Sequence, residues 1–441
     1  MKNRILTIIL AAIMVFSMVA AGCTPKVPEA TKLDTPVVTV DASGVATWQP
    51  VANASSYTYK IDDGEEVNVN TNKVTLTDGQ SIQVKAVGDG TTFTDSDYSA
   101  AVTFTAGEVK DPTGLPQPEL GYYISNADVI EESETVRYIV YTTNESSAEN
   151  YNLIAVRKGE KTEDGWVYGE EHVAIIGTDG AWDTFIGSAS MVKGVFALDG
   201  TTYNYLIAYC ATDDANDVGS QIGIAVAQDP LGEWVKVGNA PVITFDRAQY
   251  GQSSVGCYAP SVVNYDKASG IRIFYTYADA YGHFAYMWDA NLADLSNISG
   301  QQAILPTGGN LHSGDAVLMF PNADFAYDAA NSKFYTVKDY SPSATDELPY
   351  FANQIELGRI DESELYTIEP GKGWESIQVY DYIDLEVDYE RLYSACMVSD
   401  AYGHMLPGDI EVIYNVCMTK SQNADYLYTQ ILHTVVYSVA E

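Results

Sequence analysis

The C-terminal three-quarters of this chain repeats itself, and that repetition limits its fold more than any single motif. Five times a short apolar run is introduced by small or amide residues and leads into an aromatic strand. The starts are Asn126-Ala127-Asp128-Val129-Ile130, Gly187-Ser188-Ala189-Ser190-Met191, Tyr258-Ala259-Pro260-Ser261-Val262, Asn322-Ala323-Asp324-Phe325-Ala326 and Tyr393-Ser394-Ala395-Cys396-Met397. First residue to first residue, they are spaced by 61, 71, 64 and 71 positions. A second run follows each, as in Ile139-Val140-Tyr141-Thr142 and Ile273-Phe274-Tyr275-Thr276. In the first three units a third is clear, at 153–156, 222–226 and 284–288. Several strands per unit at a near-fixed period predict a β-propeller, and five units predict five blades. The expected closing strand is either 119–125 or the tail 431–439.

Bulk composition fits a large strand-rich protein. The 441 residues are 46% apolar and include 33 Tyr, enough for two or three domains with substantial cores. Basic residues number 23 against 60 acidic, a formal charge of −37. Such a surface repels nucleic acid and anionic lipid headgroups and keeps the chain soluble in a salty exterior.

The first 22 residues read as an export signal. Lys2 and Arg4 precede an apolar run, 5–19, that is too short to span a bilayer. Loss of those two basic residues would take the charge from −37 to −39. The segment ends Val19-Ala20-Ala21-Gly22-Cys23, which resembles a bacterial lipoprotein cleavage box. The resemblance implies lipid on Cys23, a membrane anchor and an extracytoplasmic location. Residues 23–32 are then a tether. Residues 33–105 alternate as strands punctuated by Asp62-Asp63-Gly64 and Asp78-Gly79 turns. Trp48 on an early strand, Tyr57 and Tyr59 on the next, Val84-Lys85-Ala86-Val87 and Asp97-Tyr98-Ser99 resemble a fibronectin type III module. Residues 106–118, with Pro112, Gly114, Pro116 and Pro118, read as a linker, and 119–441 as the propeller. The expected class is therefore all-β: a fibronectin type III- or immunoglobulin-like sandwich followed by a five-bladed propeller.

Cys210, Cys257, Cys396 and Cys417 lack metal-type spacing, and Cys210 and Cys417 occupy corresponding second-strand regions. They read as buried thiols, with one disulfide as the alternative. The five His residues are too dispersed for a zinc motif. No metal site is assigned and no cofactor is required; calcium among the carboxylates is the sharper alternative.

A propeller brings the starts of its inner strands together at one funnel, so carboxylates distant in sequence can meet there. Glycosidic bond hydrolysis needs such a set, one acid and one base or nucleophile. The candidates are Asp128, Asp324 and Asp315. Asn126, Trp182, Asp183, Tyr258, Ser261, His312, Asn322, Tyr393 and His404 are candidate sugar contacts. An Asp at a strand start also serves as a cap on backbone N–H groups, and the aromatics also serve as packing between blades.

Residues 119–441 resemble the five-bladed propeller of family 43 glycoside hydrolases. The resemblance is carried by 126–132, the strand 222–229 running through Gly232-Glu233-Trp234, Tyr258-Ala259-Pro260-Ser261-Val262 and Ala401-Tyr402-Gly403-His404. It implies a first-blade Asp as general base, a second Asp tuning pKa, a Glu as general acid, and a fifth-blade His near the central cavity. This chain departs from that pattern: Asn126 holds the base position, with Asp128 two residues on and expected on the same strand face. Ser261 stands where the pattern has Asp, or Tyr258 where it has Glu, and the last two units open on Asn322 and Tyr393. Neither Asn nor Ser transfers a proton as a carboxylic acid does. Three readings follow: a glycan hydrolase with relocated carboxylates, a glycan-capture lipoprotein, and an adhesion protein whose propeller binds another protein.

Overall fold

The computed structural model describes residues 30–439 except 41–44, 63, 77–78, 105–107, 111–114, 117–122, 147–148, 251–252, 307–310, 312–319, 341–351, 367–372, 382–390 and 418–430. It divides into two compact units, residues 1–40 with 45–104, and 41–44 with 105–441.

In the N-terminal unit, Val38–Val40, Val45–Trp48 and Lys73–Thr75 form one antiparallel sheet. Val67–Val69, Ser56–Ile61, Ser81–Val87 and Val102–Thr103 form a second, in that order. Strict alternation along Ser81–Val87 buries Ile82, Val84 and Ala86 and leaves the residues between them half-exposed. Trp48 of the first sheet meets Tyr57 of the second edge-on, with ring centroids 5.6 Å apart.

The C-terminal unit is built from five antiparallel sheets among the described residues. Their inner strands are Ser125–Ser133, Phe185–Leu198, Gly256–Asn264, Asp324–Asp328 and Arg391–Met397. Each of the first four pairs with the strand that follows it, and Arg391–Met397 pairs with Ile410–Cys417; the second sheet continues outward through Thr201–Thr212 and Gln221–Ala227 to Val235–Lys236. Apolar cores lie between successive sheets. Phe274 of the third sheet stacks on Phe325 of the fourth at 4.5 Å, a contact worth about 0.5–1.5 kcal/mol beyond area burial. Val129 and Ile139 of the first sheet share a core with Cys396, Ile413 and Leu432 of the fifth, which closes the ring. This is β-propeller packing.

The closure differs from both sequence options. Ile431–Tyr437 is the third strand of the fifth sheet, and the outermost strand is Glu108–Lys110, pairing Val109 with Val435. The segment expected to be linker thus supplies a strand, and its Leu115 is buried in the core shared by the first and fifth sheets. A three-residue strand beside Pro112 and Gly114 is too short to leave a periodic signal.

Candidate functional site

The inner strands begin alike. Asn126-Ala127-Asp128, Ser188-Ala189-Ser190, Ala259-Pro260-Ser261, Asn322-Ala323-Asp324 and Ser394-Ala395-Cys396 together line one cavity of about 40 Å³ at the propeller hub. In four sheets the ladder skips residues at this point, between Ser125 and Asp128, Ile186 and Ala189, Tyr258 and Ser261, and Tyr393 and Cys396. Asn126, Ala259, Asn322 and Ser394 take left-handed φ values of 49°, 48°, 46° and 47°. A bulge of this kind re-aims the side chain that follows it. It also breaks the simple alternation that would put Asn126 and Asp128 on one strand face.

The re-aimed side chain, third in each triplet, reaches the next sheet. Met191 N donates to Asp128 Oδ2 at 2.8 Å, and Val262 N to Ser190 Oγ at 2.9 Å. Phe325 N donates to Ser261 Oγ at 2.9 Å, and Met397 N to Asp324 Oδ2 at 2.8 Å. Val129 N–H on the first sheet faces the Cys396 thiol, completing the circuit. Each donor immediately follows its own triplet, so the ring repeats the same staple from sheet to sheet. Ser261 Oγ also donates to Asp324 Oδ1 at 2.7 Å.

A second tier sits on the neighbouring strands. Asn126 N donates to Asn415 Oδ1 at 3.0 Å, and Ser394 N to Asp339 Oδ1 at 2.7 Å. Ala259 N–H meets the Cys210 thiol. Cys210 therefore corresponds in position to Asn415 rather than to Cys417, whose side chain lies outside the described set. Cys210, Cys257 and Cys396 are free and buried.

Burial raises the carboxyl pKa of Asp128 and Asp324, and the Asp128 charge raises Asp324 further. Burial also lifts Asp339 to about 7, against hydrogen bonds from Asn322 and the Ser394 N–H that favour its anion. The hub cavity, about 40 Å³, admits water, which needs roughly 10–15 Å³. Among the described residues, no group of three or more His, Cys, Asp or Glu side chains is placed to hold a metal ion.

The far end of the hub is closed differently. Between the first and second strands of the fifth sheet, the chain crosses the ends of the other four inner strands. Ser399 pairs with Ile130 of the first sheet. Lys193 N donates to Ala401 O at 2.6 Å, Asn264 N to Tyr402 O at 2.9 Å, and Tyr327 N to Gly403 O at 3.0 Å. Asp400 Oδ1 accepts the N–H groups of Tyr402 and His404, at 2.8 and 3.0 Å, and folds this plug. Gly403 is required: its φ is +77°, and a Cβ would lie 2.7 Å from Val262 O.

The expected site residues therefore separate. Asn126, Asp128, Ser261, Asn322 and Asp324 line the hub cavity. Tyr258 stands just before its triplet, its hydroxyl 2.8 Å from His283 Nδ1. Tyr393 is buried against Ala352. Trp182 stacks on Tyr209, with centroids 6.1 Å apart, and Asp183 pairs with Lys236 at 2.5 Å; neither lines the hub cavity. His404, expected near the central cavity, lies instead on the plug, its Nε2 2.9 Å from Asn264 O. Cys23, His312 and Asp315 lie outside the described residues. Sequence reasoning missed Ser190, Cys396, Asp339 and Asn415. The signal available for the first two was their register with Asp128, Ser261 and Asp324, not their chemistry.

No protein-family model matches the chain, and no curated protein matches it. Solved structures do. The catalytic domain of a family 62 α-L-arabinofuranosidase from Coprinopsis cinerea is 10% identical, covering 76% of this chain and 99% of its own, with a TM-score of 0.50. A family 117 glycoside hydrolase from Zobellia galactanivorans is 12% identical, covering 76% and 90%, at 0.47. A thermostable family 43 glycoside hydrolase is 14% identical, covering 74% and 93%, at 0.44. The likeness at 0.50 shows that this chain shares the β-propeller fold of that domain.

Proposed function

We propose that this protein is a lipid-anchored, extracytoplasmic glycan-binding propeller that engages a polysaccharide or oligosaccharide without cleaving it at the hub. In this reading lipid on Cys23 holds the chain to the membrane, and residues 33–105 form a fibronectin type III-like spacer. The C-terminal unit is a five-bladed propeller. The observation that carries the proposal is the staple ring: the third residue of every triplet, Asp128 and Asp324 included, holds the next sheet's backbone. A carboxylate committed to fixed backbone N–H donors is a poor proton shuttle for a sugar oxygen. The fold it shares with a glycan-cleaving enzyme supports a glycan as the ligand.

Hydrolysis by Asp128 and Asp324, with Asp315, is the second reading. The raised carboxyl pKa values favour it, because acid–base pairs work with one partner protonated near neutral pH. A glycan array probed with the chain lacking its signal, followed by chromatography of every bound glycan, separates the two. Binding without new reducing ends is expected. Cleavage would establish the second reading, and an array with no binding would overturn both. Mass spectrometry of the mature N-terminus tests the anchor, with a diacylglyceryl Cys23 expected.

A further inference from the structure

The plug end of the propeller carries a larger cavity than the hub, about 480 Å³, within the roughly 300–1,000 Å³ typical of small-ligand pockets. Its walls are apolar where the plug turns back through Met405, Leu406 and Ile410, with Tyr335 opposite. The polar groups at its rim already have partners within the chain. Lys267 Nζ lies 2.9 Å from Asp400 Oδ2, and the Asp328 carboxylate accepts the N–H groups of Ala330 and Asn331 and the Asn331 amide.

One polar group at this cavity is not matched. His404 is only 5% exposed and lines the pocket. Its Nε2 faces the Asn264 carbonyl oxygen, which can only accept, so Nε2 carries the proton. Burial lowers the imidazole pKa. Nδ1 is then a bare acceptor, and among the described residues no group donates to it. Tyr327 meets the ring edge-on at 5.4 Å and holds its orientation.

We infer that this pocket is a binding site for an uncharged, polyhydroxylated ring, a neutral monosaccharide or the end of a neutral glycan. A ligand hydroxyl donates to His404 Nδ1, and the ring's C–H face lies on the apolar wall. A carboxylate would face the Asp328 and Asp400 anions with Lys267 already paired, and would give up water without compensation. The site faces the plug, not the triplet ring, and does not depend on the glycan-binding role proposed above.

Ligand-observed NMR on the full chain tests it, with methyl β-D-xylopyranoside, methyl α-L-arabinofuranoside and methyl β-D-galactopyranoside as neutral probes. Glucuronate and glucosamine serve as charged comparators. Saturation transfer to at least one neutral probe is expected, with a shift of the His404 Nδ1 resonance. His404→Phe should weaken binding roughly tenfold, the effect of one lost buried hydrogen bond. Ala330→Trp, at an exposed rim position, should abolish it. Transfer undiminished in Ala330→Trp, tighter binding of a charged probe, or no transfer from any neutral probe overturns the inference.

Discussion

The two ends of the propeller hub do the same job by opposite means. At one end, five triplets of matching geometry pass a side-chain-to-backbone staple from sheet to sheet. At the other, a single segment, 399–405, ties the remaining four sheets through its own backbone. The staple end is a product of repetition: any acceptor side chain serves at the third position, and Asp, Ser and Cys all appear. The plug end depends on one conformation of one segment, fixed by Asp400 and Gly403. The hub carboxylates consequently look catalytic by residue type and structural by hydrogen bonding.

The staple end should fail most deeply where its repeat is already broken. The second-strand position beside the bulge holds Tyr141, Tyr209, Tyr275 and Tyr414, all buried, but Lys338 in the fourth sheet. Lys338 Nζ lies 3.1 Å from Glu356 Oε2, with both side chains fully buried. Lys338→Met leaves Glu356 uncompensated and should cost about 3–5 kcal/mol in chemical denaturation, whereas Tyr141→Phe should cost far less. At the plug, Gly403→Ala should cost about 1–3 kcal/mol, because the left-handed φ and the Val262 carbonyl both resist a side chain. Ser261→Ala removes one staple and one bond to Asp324, and about 1–3 kcal/mol is expected.

A pH dependence follows from the same carboxylates. Asp339 rises from 3.8 to about 7 in the folded state, and Asp128 and Asp324 move the same way. A carboxyl with a raised folded pKa binds more protons folded than unfolded across that window. Its contribution is full at acid pH and is lost as pH rises through the folded pKa. The midpoint of thermal unfolding should therefore be higher near pH 5 than near pH 8. Joint Asp128→Asn and Asp324→Asn substitution should reduce that difference, while Asp400→Asn at the plug should leave it in place.

The sequence made repetition visible and hid whatever was not repeated. All five starts were legible, but two were framed on the first triplet residue, Asn126 and Asn322, and three one position early, at Gly187, Tyr258 and Tyr393. Carboxylate chemistry marks Asp128 and Asp324 but not Ser190 and Cys396, which share their acceptor role without their charge. The bulges were invisible because Asn, Ala and Ser carry no left-handed signature as strong as glycine's. The plug and the closing strand Glu108–Lys110 each occur once and have no period to betray them. His404 was placed by resemblance at the cavity, while its backbone partners hold it at the opposite end.

In the proposed reading the hub carboxylates hold sheets rather than cleave sugars. Its most direct test is the parent chain beside the Asp128→Asn and Asp324→Asn variants, assayed together for thermal unfolding, glycan binding and release of reducing ends. An amide keeps the carbonyl acceptor that Met191 and Met397 N–H need but transfers no proton as an acid. Folded variants with undiminished glycan binding are expected, and no cleavage in the parent for them to lose. A parent that cleaves, and folded variants that bind but no longer cleave, would contradict it.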